Sequence, residues 1–187
     1  TWCSPAATGS TCPDGTSKRS GRRATPPGHL AFLDRDHDLL FSGDHMLPRI
    51  SPNISSGGPG ELENPLHRYL LSLHATTALP DCEVLPAHEY RFRGVTDRAR
   101  QLMAHHDERL DEIRSAVDAH PESTAWDVTT RITWSRPIDV MSPPRLLRLA
   151  VRETQAHLIV LADRGDIRSD SGVPARWSLV RTDTKEN

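Results

Sequence analysis

Large apolar residues are missing from the start of the chain and regularly spaced through the rest. Residues 1 to 29 hold no Val, Leu, Ile, Phe or Met. A stretch of Thr, Ser, Gly, Pro and Arg cannot bury enough apolar surface to offset the entropy of ordering. This predicts a disordered or non-native lead-in over 1–24. From Leu30 the character changes. Apolar runs at 30–33 and 39–41 flank the polar segment Asp34-Arg35-Asp36-His37-Asp38, a pattern that predicts a β-hairpin with both strands largely buried. A loop rich in Pro, Ser and Gly covers 48–63. Asn64-Pro65 then opens a helix, with Asn as N-cap and Pro at the first helical position. Leu66, Tyr69, Leu70 and Leu73 follow at helical spacing, and Glu83-Val84-Leu85 reads as a short strand. Strand, loop, helix and strand in this order predict part of an α/β layered domain.

The second half is helical. Thr96 is placed to cap a long helix running to about Ala119, with Leu102, Met103, His106, Leu110, Ile113 and Val117 on one side. Ser123 or Thr124 is placed to cap a short helix through about Trp134. Ser142-Pro143 starts another, bearing Leu146, Leu147, Ala150, Thr154, Leu158 and Leu161, and Gly165 is placed to stop it. Residues 167–169 and 175–180 around Asp170-Ser171-Gly172 predict a closing hairpin. Three helices followed by a β-hairpin is the winged-helix arrangement.

Composition narrows the classes. The 187 residues carry a formal net charge of −2, which is no polyanion-binding signature. No run approaches the roughly 18 apolar residues of a membrane span, and no charged-then-apolar leader opens the chain. Three cysteines, Cys3, Cys12 and Cys82, fit a reducing cytoplasm better than a disulfide framework. The expected location is cytoplasmic, with no membrane partner.

Two residues with ligand chemistry, Asp44 and His88, lie just past predicted buried strands, where α/β layers gather ligands and metals. A carboxylate and an imidazole form part of a zinc shell, since catalytic zinc takes three protein ligands and an open position. On spacing alone, a second reading stands beside this one: Asp44 caps a turn and His88 bonds a carbonyl.

The wording of these segments adds to their spacing. Residues 28–54, with Gly28-His29-Leu30-Ala31-Phe32-Leu33-Asp34 and Phe41-Ser42-Gly43-Asp44-His45-Met46, resemble the second half of a metallo-β-lactamase-fold hydrolase. Leu85-Pro86-Ala87-His88-Glu89-Tyr90-Arg91-Phe92-Arg93-Gly94 resembles that family's L-P-G-H-G-x-P-F-x-G segment. From His105-His106-Asp107-Glu108-Arg109-Leu110 onward, the chain is similar to the winged-helix domain appended to one branch of these hydrolases. The resemblance implies an α/β chain: the C-terminal part of a metallo-β-lactamase αββα sandwich at 25–95, a winged-helix domain at 96–182, and a tail at 183–187. It implies that Asp44 is the catalytic carboxylate bridging two zinc ions and that His88 is the last histidine ligand of the second metal. The implied reaction is attack by a metal-bound hydroxide on an ester, a thioester or the phosphodiester of RNA.

The chain departs from the family in two places. The H-x-H-x-D-H motif that supplies most ligands is absent. Where T-P-G-H-x-P-G-H is usual, the text is Thr25-Pro26-Pro27-Gly28-His29. His29 then aligns with a histidine that is not usually a ligand, and a slipped loop would be needed for it to serve as the third. These departures predict a truncated chain that is weak or inactive as an enzyme. The alternative is a non-enzymatic piece acting only as a winged-helix interaction module.

The remaining residues have plainer readings. His45 is a candidate for orienting a ligand or touching substrate, and Arg49 for meeting an anionic substrate. His106 is read as a packed, hydrogen-bonded histidine, Cys82 as a small core residue, and Trp126, Trp134 and Trp177 as core or interface anchors. Residues 142–182 hold 7 arginines against 4 acidic residues, yet 96–187 balance 14 basic against 15. That balance favours a tail that shapes the substrate entrance over one that binds nucleic acid. A homodimer stays open.

Overall fold

The computed structural model describes residues 31–55 and 64–180. The lead-in 1–24, the tail 183–187 and His29 lie outside the described residues. The chain forms two compact units, one within Thr1–Pro52 and Arg68–Met103, the other within Asn53–His67 and Ala104–Asn187.

In the first unit, β1 (Phe32–Asp34) and β2 (Leu39–Gly43) are antiparallel, and β3 (Glu83–Pro86) joins β2 in parallel, giving the order β1-β2-β3. The β1–β2 turn follows from Asp34, whose Oδ1 accepts the N–H groups of Asp36 (3.0 Å) and His37 (3.2 Å). An Asp that captures the backbone ahead of it makes a tight reversal. Asp38 completes the turn at φ 52°. The expectation that both hairpin strands are largely buried needs correction. Leu33 and Leu40 are buried, but the cross-strand pair Phe32 and Phe41 is exposed. Side chains alternate across a sheet, so a run that is apolar at every position still presents one face to the outside.

Helix α1 (Pro65–Thr76) begins as expected: Asn64 Oδ1 accepts the N–H of His67 at 2.9 Å. Tyr69 and Leu73 are fully buried, with Met46, Leu47, Cys82, Val84, Val95 and Ala99 also in the core. Helix α2 (Val95–Ala119) starts one residue before Thr96. Thr96 therefore sits inside the first turn, its hydroxyl donating to the Thr77 carbonyl at 3.2 Å rather than capping. Gly94, at φ 92°, makes the entry instead, and its carbonyl accepts the Arg98 N–H.

In the second unit, strand β4 (Ser123–Thr124) precedes α3 (Ala125–Thr129), and α4 (Pro144–Asp163) is followed by β5 (Ile167–Ser169) and β6 (Arg176–Leu179). The sheet order is β4-β6-β5, all antiparallel. Thr124 caps α3 through a reciprocal box with Asp127. The helix does not reach Trp134 as its sequence suggests. It ends at Thr129, and the Trp134 indole N–H takes the Thr129 carbonyl at 2.8 Å. That indole bond satisfies a carbonyl that continued helix would otherwise have used. Strand β4 has no signal in the sequence, because two residues show no alternation. Gly165, at φ 80°, ends α4 as expected. Leu110, Ile113, Val117, Val128, Ala150, Leu158, Leu161 and Trp177 are buried, as is His106.

Candidate metal centre

The parallel pairing of β2 with β3 brings the two sequence candidates together. Gly43 lies opposite Pro86, with a register irregularity between Phe41 and Gly43, and the Gly43 carbonyl accepts the Ala87 N–H at 3.0 Å. Asp44 directly follows Gly43, and His88 directly follows Ala87, so both stand at the carboxyl ends of adjacent parallel strands. His88 Nε2 lies 3.3 Å from Asp44 Oδ1, with side chains 66 % and 40 % exposed. Among the described residues Asp44 Oδ1 is shielded from solvent and has no hydrogen-bond partner. The two atoms are close without the alignment of a hydrogen bond. A shielded carboxylate oxygen without a donor is costly unless something else completes it.

The loop after Asp44 is held at several points. The His45 N–H bonds the Ser42 carbonyl at 3.0 Å, Ser42 Oγ donates to the Met46 carbonyl at 3.0 Å, and Tyr69 Oη donates to the His45 carbonyl at 3.0 Å. Burial raises the Tyr69 phenol above its ordinary value, so this donor stays protonated. Arg98 donates through Nε to the Leu47 carbonyl (2.6 Å) and through Nη2 to that of Ile50 (2.9 Å). The His45 ring is buried, edge-on to Tyr69 at 5.4 Å, with its Nε2 3.4 Å from Thr76 Oγ1.

The loop bearing His88 is closed by the Val84–Phe92 bridge, whose N–H···O bonds measure 2.7 and 3.2 Å. Next to His88, Glu89 holds φ 69°. It stands where the resembling motif has Gly, the residue suited to that conformation. Its carboxylate accepts the Arg49 N–H at 3.1 Å and Arg49 Nε at 3.0 Å, and the guanidinium lies 5.6 Å from the Tyr90 ring centre. Burial pushes the Glu89 carboxyl up, but hydrogen bonds from the Arg49 backbone and side chain outweigh it and leave the pKa lowered. Arg49, a candidate for an anionic substrate, thus has a carboxylate partner within the chain. Sequence reasoning misses that partner, although a Glu in a glycine position is a visible signal.

Catalytic zinc takes three protein ligands. Asp44 and His88 are right in kind and number two. Among the described residues no group of three or more His, Cys, Asp or Glu side chains is arranged to hold a metal. The donor set therefore fits part of a metal centre. No described helix is long and apolar enough to cross a membrane.

No protein-family model matches the chain, and no curated protein matches it. Solved structures do. A β-lactamase domain protein from Burkholderia ambifaria is 36 % identical, with a TM-score of 0.72 over 81 % of this chain and 44 % of the other. A metallo-β-lactamase family protein from Thermus thermophilus is 30 % identical, with a TM-score of 0.67 over 82 % of this chain and 46 % of the other. The chain shares the metallo-β-lactamase fold over the part it covers. It spans less than half the length of either structure.

Proposed function

We propose that the chain carries part of the zinc centre of a metallo-β-lactamase-type hydrolase, with Asp44 and His88 as ligands. The observation that carries this reading is the shielded, unbonded Asp44 Oδ1 lying 3.3 Å from His88 Nε2 at the ends of two adjacent parallel strands. The remaining ligands come from outside the described residues, with His29 one candidate. A bound zinc would supply Lewis acidity and a water whose pKa is lowered toward about 7. The residues of the chain hold and orient: Asp44 by its carboxylate, His88 by Nε2, and Tyr69 and Arg98 by fixing the carbonyls behind Asp44. The substrate class is an acyl ester, a thioester or an RNA phosphodiester. With two secure ligands, affinity is weak and hydrolysis slow or absent.

A second reading is a winged-helix interaction module. The order helix, strand, helix, helix, hairpin in the second unit supports it. Zinc titration calorimetry separates the two readings. Under the first, binding is lost in both Asp44→Ala and His88→Ala and kept in His106→Gln. Under the second, no binding depends on Asp44 or His88.

A further inference from the structure

We propose that Glu89 and Arg49 form a positioning device that holds the His88 imidazole against Asp44; this rests on reading those two residues as metal ligands. Glu89 occupies the left-handed region at φ 69°, which an L residue leaves unless its surroundings hold it there. A change of that angle would turn the peptide following His88 and swing the imidazole. What holds Glu89 is Arg49, forty residues earlier, through two contacts to the two carboxylate oxygens: backbone N–H to Oε2 at 3.1 Å and Nε to Oε1 at 3.0 Å.

The backbone contact matters most. It ties Glu89 to the main chain of the loop that begins at Asp44, and not only to an exposed side chain. That loop is itself fixed by Arg98 on the Leu47 and Ile50 carbonyls and by Tyr69 on that of His45. Glu89 therefore links the residue next to His88 to the anchored Asp44 segment. The side chains of the pair are 14 % and 69 % exposed for Glu89 and Arg49, so the carboxylate is the enclosed partner. An exposed surface ion pair would contribute little by itself. Here the contact fixes a backbone angle beside a ligand.

The test uses the full chain without metal and then with zinc. In metal-free protein, an NMR cross-peak between the His88 ring protons and the Asp44 β-protons reports their contact. Glu89→Ala is expected to lose that cross-peak and to weaken zinc binding by about ten-fold, the scale seen when groups orienting a ligand are removed. Glu89→Gly loses the same contacts but accepts the angle without strain, so it is expected to recover part of both losses. A purely structural role would instead lower the melting temperature alike in both variants while leaving cross-peak and affinity unchanged well below it. If the cross-peak persists in Glu89→Ala and zinc affinity is unaltered, the positioning role is overturned while the ligand reading stands. If the intact chain binds no zinc yet Glu89→Ala loses the cross-peak, the positioning stands and the ligand reading fails.

Discussion

Two close pairs involving imidazoles, one at the strand ends and one in the second unit, differ in almost every physical respect. At the strand ends, His88 and Asp44 are substantially exposed and approach to 3.3 Å without a hydrogen bond between them. In the second unit, His106 and His157 are buried, and His106 Nδ1 lies 3.1 Å from His157 Nε2. There His157 Nδ1 donates to the Glu153 carbonyl at 2.8 Å, which leaves Nε2 to accept and His106 Nδ1 to donate. The directions of the hydrogen bonds are thereby fixed with both rings neutral. Burial, with further help for His106 from the neighbouring His157, pushes His106 down to about 3 and His157 to about 4. In the buried pair the facing nitrogens, His106 Nδ1 and His157 Nε2, meet each other, whereas Asp44 Oδ1 in the exposed pair has no hydrogen-bond partner among the described residues. Proximity alone does not make a ligand set.

The largest test of this contrast is stability. His157→Ala removes a buried ring and leaves His106 Nδ1 without its acceptor, a combined cost of about 3 kcal/mol. His88→Ala, at an exposed loop, should change stability by less than about 0.5 kcal/mol in the absence of metal. Urea denaturation of both variants beside the parent chain measures this. Equal effects would mean that the two pairs do not differ as described.

Acid should act on the same contrast with a smaller, graded effect. The folded-state values of His106 and His157 lie below the ordinary 6.5, so between those limits the unfolded chain binds more protons. Their neutral forms cost nothing above pH 6.5. As pH falls from 6.5 toward 4, stability should drop by about 1.4 kcal/mol per pH unit for each group that is fully protonated only when unfolded. Glu153, raised by its own burial, works in the opposite sense. Over the window from about pH 6.5 to 5, comparison with a variant that keeps Glu153 but lacks both imidazoles isolates the histidines. Denaturation midpoints across that window should fall in the parent and stay flatter in the double variant His106→Gln, His157→Gln.

Much of this is legible in the sequence because it depends on local chemistry. Asn64 before Pro65, Gly165 after an apolar helical stripe, and His106 on such a stripe each act within one or two turns. The Asp44–His88 pair is legible too, since each residue follows a short apolar strand. The misses depend on distant partners. Phe32 and Phe41 look as buried as Leu33 and Leu40 until the sheet's faces are known. The end of α3 is set by an indole five residues on, and His157 gains meaning only from His106, 51 residues earlier. Arg49 reads as a residue for substrate because its partner, Glu89, lies forty residues away in another loop.

A third pair, at His37, allows the finest test, because it separates exposure from the lack of a partner. His37 lies in the β1–β2 turn with its Nδ1 2.9 Å from Asp34 Oδ2, and its side chain is 74 % exposed. It is thus exposed like His88 but, unlike His88, it is aligned with a carboxylate in a hydrogen bond. That bond, with the charge of Asp34 behind it, raises the His37 pKa above 6.5 and lowers that of Asp34. A raised histidine stabilises the fold below its unfolded value and loses that contribution as pH climbs through the folded one. The sign is opposite to that of His106 and His157, and the size is small because water screens the pair. The His37 Hε1 resonance should therefore titrate with a midpoint above 6.5 and return toward 6.5 in Asp34→Asn. A midpoint at or below 6.5 in the parent chain would show that the turn does not hold this pair together. The aligned, exposed pair would then offer no reference against which the unaligned Asp44–His88 pair stands out.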